Sequence, residues 1–294
     1  MIRAGIVGGS GLVGFNLARL LHGENVRIDM ITSSSLIGQS VREYYAKEFD
    51  KEVDTGLQFT AVDYDELNEL DIVFLAVPHG DAGQISANIT TRIIDMSADH
   101  RLEWTYGLPE IYEQEIRKSK RVANPGCYAT ACILSAYPIR DMIDDIVFDC
   151  ISGYSGGGKN PSYDYRGNII AYKLRDHHHV REISNELGMN VSFAPHVIDT
   201  FSGLMCTAHI SLKRKLSIDD VVHKYQSQYQ NTRTRVIREI PDTKMVVEKN
   251  TCVIGGFVYD NNHKLVVVSV IDNLMKGAAS QAIENMRLIL HSRM

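Results

Sequence analysis

Hydrophobic positions in the first third of the chain fall into short runs separated by amphipathic stretches. Ile2–Val7, Val26–Thr32, Gln58–Val62, Asp71–Val77, Arg92–Met96 and Arg121–Ala123 are rich in Ile and Val and predict strands. Leu12–His22, Asp65–Leu70 and Asp81–Asn88 lie between them and predict helices. Such alternation implies parallel strands joined by crossover helices, and the unbroken run IVFLAV suits a strand covered on both faces. After residue 125 the pattern changes. Cys127–Met142 carries Ala, Leu and Ile at helical spacing, Ile146–Gly153 predicts a strand, and Arg175–Leu187 a polar helix. Strands are predicted at Val191–Val197, Leu204–Leu212, Cys252–Tyr259 and Lys264–Asp272, the last two joined through Asn261-Asn262 as a hairpin. A final amphipathic helix, Leu274–His291, is expected to pack on the first domain.

The expected fold class is therefore α/β. An N-terminal Rossmann dinucleotide-binding domain takes residues 1–126 plus 274–294, and a second α+β domain on a mixed or antiparallel sheet takes 127–273. A length of 294 residues accommodates two domains. The net charge of −5 lacks the basic footprint of a general nucleic-acid binder. No apolar run approaches the roughly 20 residues of a membrane span, and no signal-peptide layout is present. A soluble, cytoplasmic protein with neither membrane nor nucleic acid as partner is expected. The five cysteines, Cys127, Cys132, Cys150, Cys206 and Cys252, form no C-x-x-C pair and no disulfide framework. One of them can be chemical while the others are small buried hydrophobes.

Candidate chemistry begins after the first strand, where Gly8-Gly9-Ser10-Gly11-Leu12-Val13-Gly14 opens directly into a helix. Glycines at 8, 11 and 14 let the backbone turn tightly and approach a pyrophosphate, and the helix start offers unpaired N–H groups. Gly8, Ser10, Gly11, Leu12, Val13 and Gly14 are the candidate cofactor contacts. An NAD-selective site places an acid at the end of strand two for the ribose 2′-hydroxyl. Here Thr32, Ser33 and Ser34 stand there instead, and Asp29 comes about three residues too early, so NADP(H) is favoured.

Asn124-Pro125-Gly126-Cys127-Tyr128-Ala129-Thr130 puts a cysteine where a strand ends and a helix begins. Free N–H groups and the helix dipole there stabilise a thiolate and can hold a developing oxyanion. Asp176-His177-His178-His179-Val180-Arg181-Glu182 lies in the predicted helix, where three consecutive histidines fan over three faces. A metal site is therefore not expected; one histidine as an acid–base group, oriented by a carboxylate, competes with a plain exposed polar helix.

Taken in order, GGSGLVG, SADHRL, YGLPE, NPGCYAT, SGYSGGGK, HHHVREI, APHV and DNLMKGAASQA resemble the N-acetyl-gamma-glutamyl-phosphate reductases of arginine synthesis. They are similar also to lysine-pathway relatives that reduce an aminoadipyl phosphate on a small acidic carrier protein, and more distantly to aspartate-semialdehyde dehydrogenase. The resemblance implies Cys127 as nucleophile and, from the family pattern H-R-H-x-P-E-I, His177 as acid–base residue supported by His179 and Glu182. His178 and Arg181 depart from that pattern, and Ser202 stands where relatives tend to carry an Arg. Arg101 is the implied phosphate grip, with an ion pair to Glu110 as its alternative role. Asn124, Ser155 and Lys159 complete the candidate substrate contacts, the Ser155–Lys159 loop serving either as an anion nest or as a hinge. Asn273 is a candidate cofactor contact or a helix cap.

The implied reaction is NADPH-dependent reduction of an acyl phosphate through a cysteine thioester. Aspartate-semialdehyde dehydrogenase and a catalytically silent NADP sensor are the alternatives. Between Lys159 and Arg181 five cations face two acids, a balance that suits an acidic substrate or a small acidic amino-group carrier protein. A homo-oligomer, dimer or tetramer, is expected through the second sheet.

Overall fold

The computed structural model describes residues 1–157 and 164–291, which divide into two compact units. The first, Met1–Pro125 together with residues from Ala278 on, is an open α/β layer structure. It runs β1 (Ile2–Val7), α1 (Leu12–Leu21), β2 (Val26–Ile31), α2 (Val41–Phe49), α3 (Tyr64–Asn68), β3 (Ile72–Leu75), α4 (Ala82–Ser86), β4 (Arg92–Asp95), β5 (Thr105–Tyr106), α5 (Pro109–Lys118) and β6 (Arg121–Ala123). The six strands lie in the order β2-β1-β3-β4-β6-β5, every pairing parallel. β3 is buried at all four positions, as an unbroken apolar run between two helical layers requires. The order reverses at β1, so the carboxyl end of β1 lies at the topological switch point where open α/β sheets take their ligands.

The second unit, Gly126–Gly277, contains α6 (Cys127–Ala136), β7 (Ile143–Gly153), β8 (Ile169–Ala171), α7 (His179–Leu187), β9 (Ser192–Ile198), β10 (Leu204–Leu212), α8 (Ile218–Gln228), β11 (Thr234–Val236), β12 (Cys252–Tyr259) and β13 (Leu265–Ile271). Its seven strands run β11-β12-β13-β10-β7-β9-β8, a mixed sheet in which β7–β9 and β11–β12 are parallel and the remaining pairs antiparallel. α6 is buried along almost its whole length, with Cys132, Ile133 and Leu134 fully inaccessible. The chain then returns to the first unit through α9 (Ser280–His291), whose Ala282, Ile283, Met286 and Ile289 enter the same core as Phe15, Leu17 and Phe74.

Several predicted boundaries are corrected. Gln58–Val62 is not a strand. Its extended backbone bonds residue by residue to two separate segments, Thr60 bridging Thr32 and Gln58 bridging Ser40, so no ladder forms. The helix predicted over Cys127–Met142 is α only to Ala136, and Tyr137–Met142 is a 3-10 turn because Pro138 has no N–H to donate. The predicted Arg175–Leu187 helix starts at His179. In the last helix, Met275–Ala279 is a π turn closed by Gly277 N–H donating to Asp272 O at 2.9 Å. α2, α5 and α8 had no counterpart in the hydrophobic pattern.

One buried carboxylate fixes the loop after β4. Asp95 is fully inaccessible and accepts from Ser97 N (2.8 Å), Ser97 Oγ (2.9 Å) and His100 Nδ1 (2.7 Å). His100 stacks on Trp104 with ring centroids 3.7 Å apart. Four residues on, Asp99 ties the loop to the start of α4 by accepting from Gly80 N and Ala82 N at 2.8 and 2.9 Å. Removing a buried acceptor strands its donors. Asp95→Ala is expected to lower unfolding stability by about 2–4 kcal/mol in a denaturant titration, and Asp99→Ala, nearer to water, by less than half as much.

Candidate active site

The glycine loop is built so that side chains cannot enter it. Gly8 has φ +85°, and a Cβ there would stand 2.6 Å from Ala76 O. A Cβ on Gly9 would fall 2.1 Å from Ile31 Cγ2, and one on Gly14 2.6 Å from Gly9 Cα. Around Gly11, by contrast, the nearest atom to an added Cβ is 4.0 Å away, which leaves the space over the start of α1 open. Gly11 caps α1 without a side-chain bond, so the first N–H groups of the helix face that space as donors for an anion. Two tyrosines of α2 hold the loop from below: Tyr45 OH donates to Gly9 O at 2.8 Å and Tyr44 OH to Ser10 O at 3.0 Å.

At the end of β2, Thr32 and Ser33 are buried while Ser34 is exposed. Thr32 Oγ1 accepts from Gly8 N at 3.3 Å, and Ser33 Oγ bonds Ser10 Oγ at 3.1 Å, so both couple to the loop. Asp29 is spent elsewhere. Arg27 and Arg3 bond its carboxylate at 2.6 and 2.7 Å, and the Arg27 bond holds that carboxyl below the usual carboxylate range. Arg42 pairs with Glu52 and Asp54 on the surface. The residues present thus fit a dinucleotide: the open start of α1 would hold its pyrophosphate, and the hydroxyls at the end of β2 its adenosine ribose.

Cys127 is the first residue of α6 and is the one cysteine of the five that is not buried. Gly126 precedes it in extended conformation and gives its N–H to Glu182 Oε1 of α7 at 2.9 Å. Glu182 is 2% exposed, which makes this a bond to a carboxylate in a dry setting. Gly277, in the π turn, packs against the base of the Cys127 side chain, where an added Cβ would stand 2.7 Å from Cys127 Cβ and 3.2 Å from its Cα. The N–H groups at the start of α6 carry the positive end of its dipole to the sulfur.

The three histidines do not fan over a helix. His177 and His178 precede α7, so all three rings gather with a nitrogen of each within 4.8 Å of the others. His177 and His179 are buried, and His178 is half-buried and stacked on His177 at 4.7 Å. His177 Nδ1 accepts from His179 N at 3.2 Å, so the ring caps the start of α7 and carries its proton on Nε2 when neutral. Tyr128 meets both rings edge-on, at 5.8 and 5.9 Å, and its OH donates to His196 O at 2.8 Å while Tyr172 OH bonds it at 3.4 Å. Burial, reinforced by Tyr172, pushes the Tyr128 phenol far above its ordinary range and keeps it neutral.

The remaining candidates are placed as follows. Arg101 is buried in the first unit and donates through Nε to Asn124 O (3.1 Å) and through Nη2 to Met96 O (3.4 Å). Asn124 engages both ends of its amide, donating to Ala278 O and accepting from Asn285 Nδ2. In the second unit Asn273 donates to Ser155 Oγ and accepts from Gly203 N, both at 2.9 Å, and Ser202 Oγ bonds Asp272 Oδ2 at 3.3 Å. Lys159 lies outside the described residues. Sequence reasoning overlooked Tyr128 and Tyr172, the Glu182–Gly126 bond and the Gly277 contact. Only Tyr128, next to the cysteine, carried a local signal.

Residues 3–119 match the family described as "Semialdehyde dehydrogenase, NAD binding domain" and residues 127–273 that described as "Semialdehyde dehydrogenase, dimerisation domain". An N-acetyl-gamma-glutamyl-phosphate reductase of Methanococcus maripaludis is 36% identical over 97% of this chain and 94% of its own length. One of Methanosarcina barkeri is 38% identical over 98% and 95%. In fold, the chain superposes on an aspartate semialdehyde dehydrogenase with NADP from Candida albicans at TM-score 0.81 and 14% identity, covering 100% and 99% of the two chains.

The burial of the other four cysteines gives a direct check. Native protein is expected to titrate with a disulfide reagent at one fast thiol, lost in Cys127→Ser, and denatured protein at all five.

Proposed function

We propose, for a chain that belongs to the semialdehyde dehydrogenase family and stands among its N-acetyl-gamma-glutamyl-phosphate reductases, the NADPH-dependent reduction of N-acetyl-gamma-glutamyl phosphate to the semialdehyde with release of phosphate. The observation that carries this reading is the uncapped start of α6, with a half-exposed thiol at its first position and a carboxylate fixing the residue before it. Identity of 36–38% with the reductases, against 14% with the aspartate enzyme, supports the acetylglutamyl substrate over the aspartyl one.

Each residue then has a chemical task. Cys127 sulfur attacks the acyl carbon, and phosphate leaves as the thioester forms. The cofactor, held by the glycine loop and the hydroxyls of Thr32, Ser33 and Ser34, supplies hydride when bound. His177, with its proton on Nε2, donates to the carbonyl oxygen as charge develops there. The thiohemiacetal on Cys127 collapses as its hydroxyl proton returns to His177, which frees the aldehyde and regenerates the thiolate. His179 holds the tautomer of His177 through its backbone N–H, and Glu182 holds the turn at Gly126. Ser155 and Lys159, in the same stretch of chain as the thiol's own unit, are assigned to the substrate and its phosphate.

Oligomerisation through the second unit is part of this reading, and the exposed Ile151 and Val258 on its sheet support it. A second substrate form is favoured by one surface feature: Arg166, Lys173, Arg175 and Arg181 are all exposed, with Asp164 pairing only Arg166. That strip suits an acyl phosphate carried on a small acidic protein, as in lysine synthesis.

In the reverse direction, purified protein is expected to reduce NADP in a phosphate-dependent reaction with N-acetylglutamate semialdehyde. Cys127→Ala is expected to lower kcat by at least roughly 10³-fold, and His177→Ala by roughly 10²–10⁴-fold. Absence of turnover with saturating phosphate and reduced Cys127 contradicts the reductase reading. With an aldehyde linked to an acidic carrier, Lys173→Glu combined with Arg175→Glu is expected to raise KM and flatten its salt dependence while leaving the free aldehyde's KM unchanged. An unchanged salt dependence removes the carrier.

A further inference from the structure

Five residues beyond Cys127 on α6, the sulfur of Cys132 meets two others. Cys150 on β7 and Cys206 on β10 are directly opposed in the antiparallel register of those strands, and α6 covers that face. Cys132 Sγ lies 3.6 Å from Cys150 Sγ and 3.6 Å from Cys206 Sγ, and all three sulfurs fall within 4.8 Å of one another. None of the three residues is accessible to solvent. The reaction proposed above uses none of them.

The spacing matches a coordination triangle. A metal–sulfur distance of about 2.3 Å places trigonal sulfurs about 4.0 Å apart and tetrahedral ones about 3.8 Å apart. The two close pairs need to part by only a few tenths of an ångström. Thiolate ligands select soft ions such as Cu⁺ and Zn²⁺. Two hydroxyls adjoin the cluster, Ser135 Oγ donating to Cys132 O at 2.8 Å and Ser269 Oγ to Ala131 O at 2.9 Å, and both also approach the Cys206 thiol. Structural zinc takes four ligands, and three are offered here. Charge argues the same way. In a dry core, Cu⁺ entering as one thiol proton leaves keeps the site's net charge unchanged, whereas a divalent ion must expel two protons to do so.

We propose that Cys132, Cys150 and Cys206 form a three-sulfur site for a soft monovalent metal ion, Cu⁺, in the core of the second unit. The site is separate from the reactive thiol, and its occupancy pins α6 to the two central strands of the sheet.

The test uses the full chain carrying Cys127→Ser, so that the reactive thiol takes no metal, kept reduced without oxygen. Cu⁺ is supplied as its bicinchoninate complex, both to native protein and during refolding from denaturant, since the sulfurs have no open path to solvent. One tightly held Cu⁺ per chain is expected, with a three-sulfur shell in X-ray absorption. Added separately, Cys132→Ala, Cys150→Ala and Cys206→Ala are each expected to weaken binding by more than about 100-fold, beyond what loss of a mere outer-shell partner causes. Cys252→Ala, at a buried cysteine on β12, is expected to leave binding intact. Any of the three that fails to unfold cooperatively is read through the other two. Less than one Cu⁺ per chain under both loading conditions overturns the proposal, as does full affinity in any folded variant of the three.

Discussion

Gly126 is the last extended residue before α6, and where its N–H goes decides where the thiol goes. Left to itself, that N–H would be one more donor at an uncapped helix start. Glu182 takes it at 2.9 Å from a buried position on α7, so two helices of the second unit are joined through a charged acceptor and not only by apolar contact. The carboxylate costs desolvation and recovers it by accepting from the backbone. Gly277 closes the other side with no room for a methyl group. Between these constraints Cys127 has little freedom in backbone position, and the dipole of α6 stays aimed at its sulfur.

The glycine loop follows the same logic with opposite means. There the backbone carbonyls are held by phenols, Tyr44 and Tyr45, from a helix remote in sequence, while the N–H side is kept open over Gly11. One strand-to-helix turn is thus pinned by donors to its carbonyls, and the other by an acceptor for its N–H.

Parallel strands could be read from the sequence because burial on both faces leaves unbroken Ile and Val runs, as in Ile72–Leu75. The glycine loop and Cys127 could be read because glycine and proline punctuate strand-to-helix turns. What escaped was set by distant partners. α2 reads VREYYAKEF, and its tyrosines look like surface until the loop they hold is in place. Phe59 and Thr60 are apolar and β-branched enough to predict a strand, yet their neighbours on each side differ, so pairing lasts one residue. The histidine segment has helical composition, but the His177 ring replaces a backbone bond at the start of α7 and delays the helix to His179. For that reason the three rings converge instead of diverging.

α9 carries a consequence for the order of events on the ribosome. The second unit is continuous in sequence, so once Gly277 has emerged all of its strands are available to pair. The first unit is not. Its core includes Ala282, Ile283, Met286 and Ile289, and Asn285 Nδ2 donates to both Gly107 O and Asn124 Oδ1 deep inside it. Until α9 is synthesised, Gly107 O lacks that donor and the apolar face that α9 covers stays open to water. Domains commonly fold from the N-terminal side first during synthesis. Here the core of the first unit cannot close until its last helix has been made, after every strand of the second.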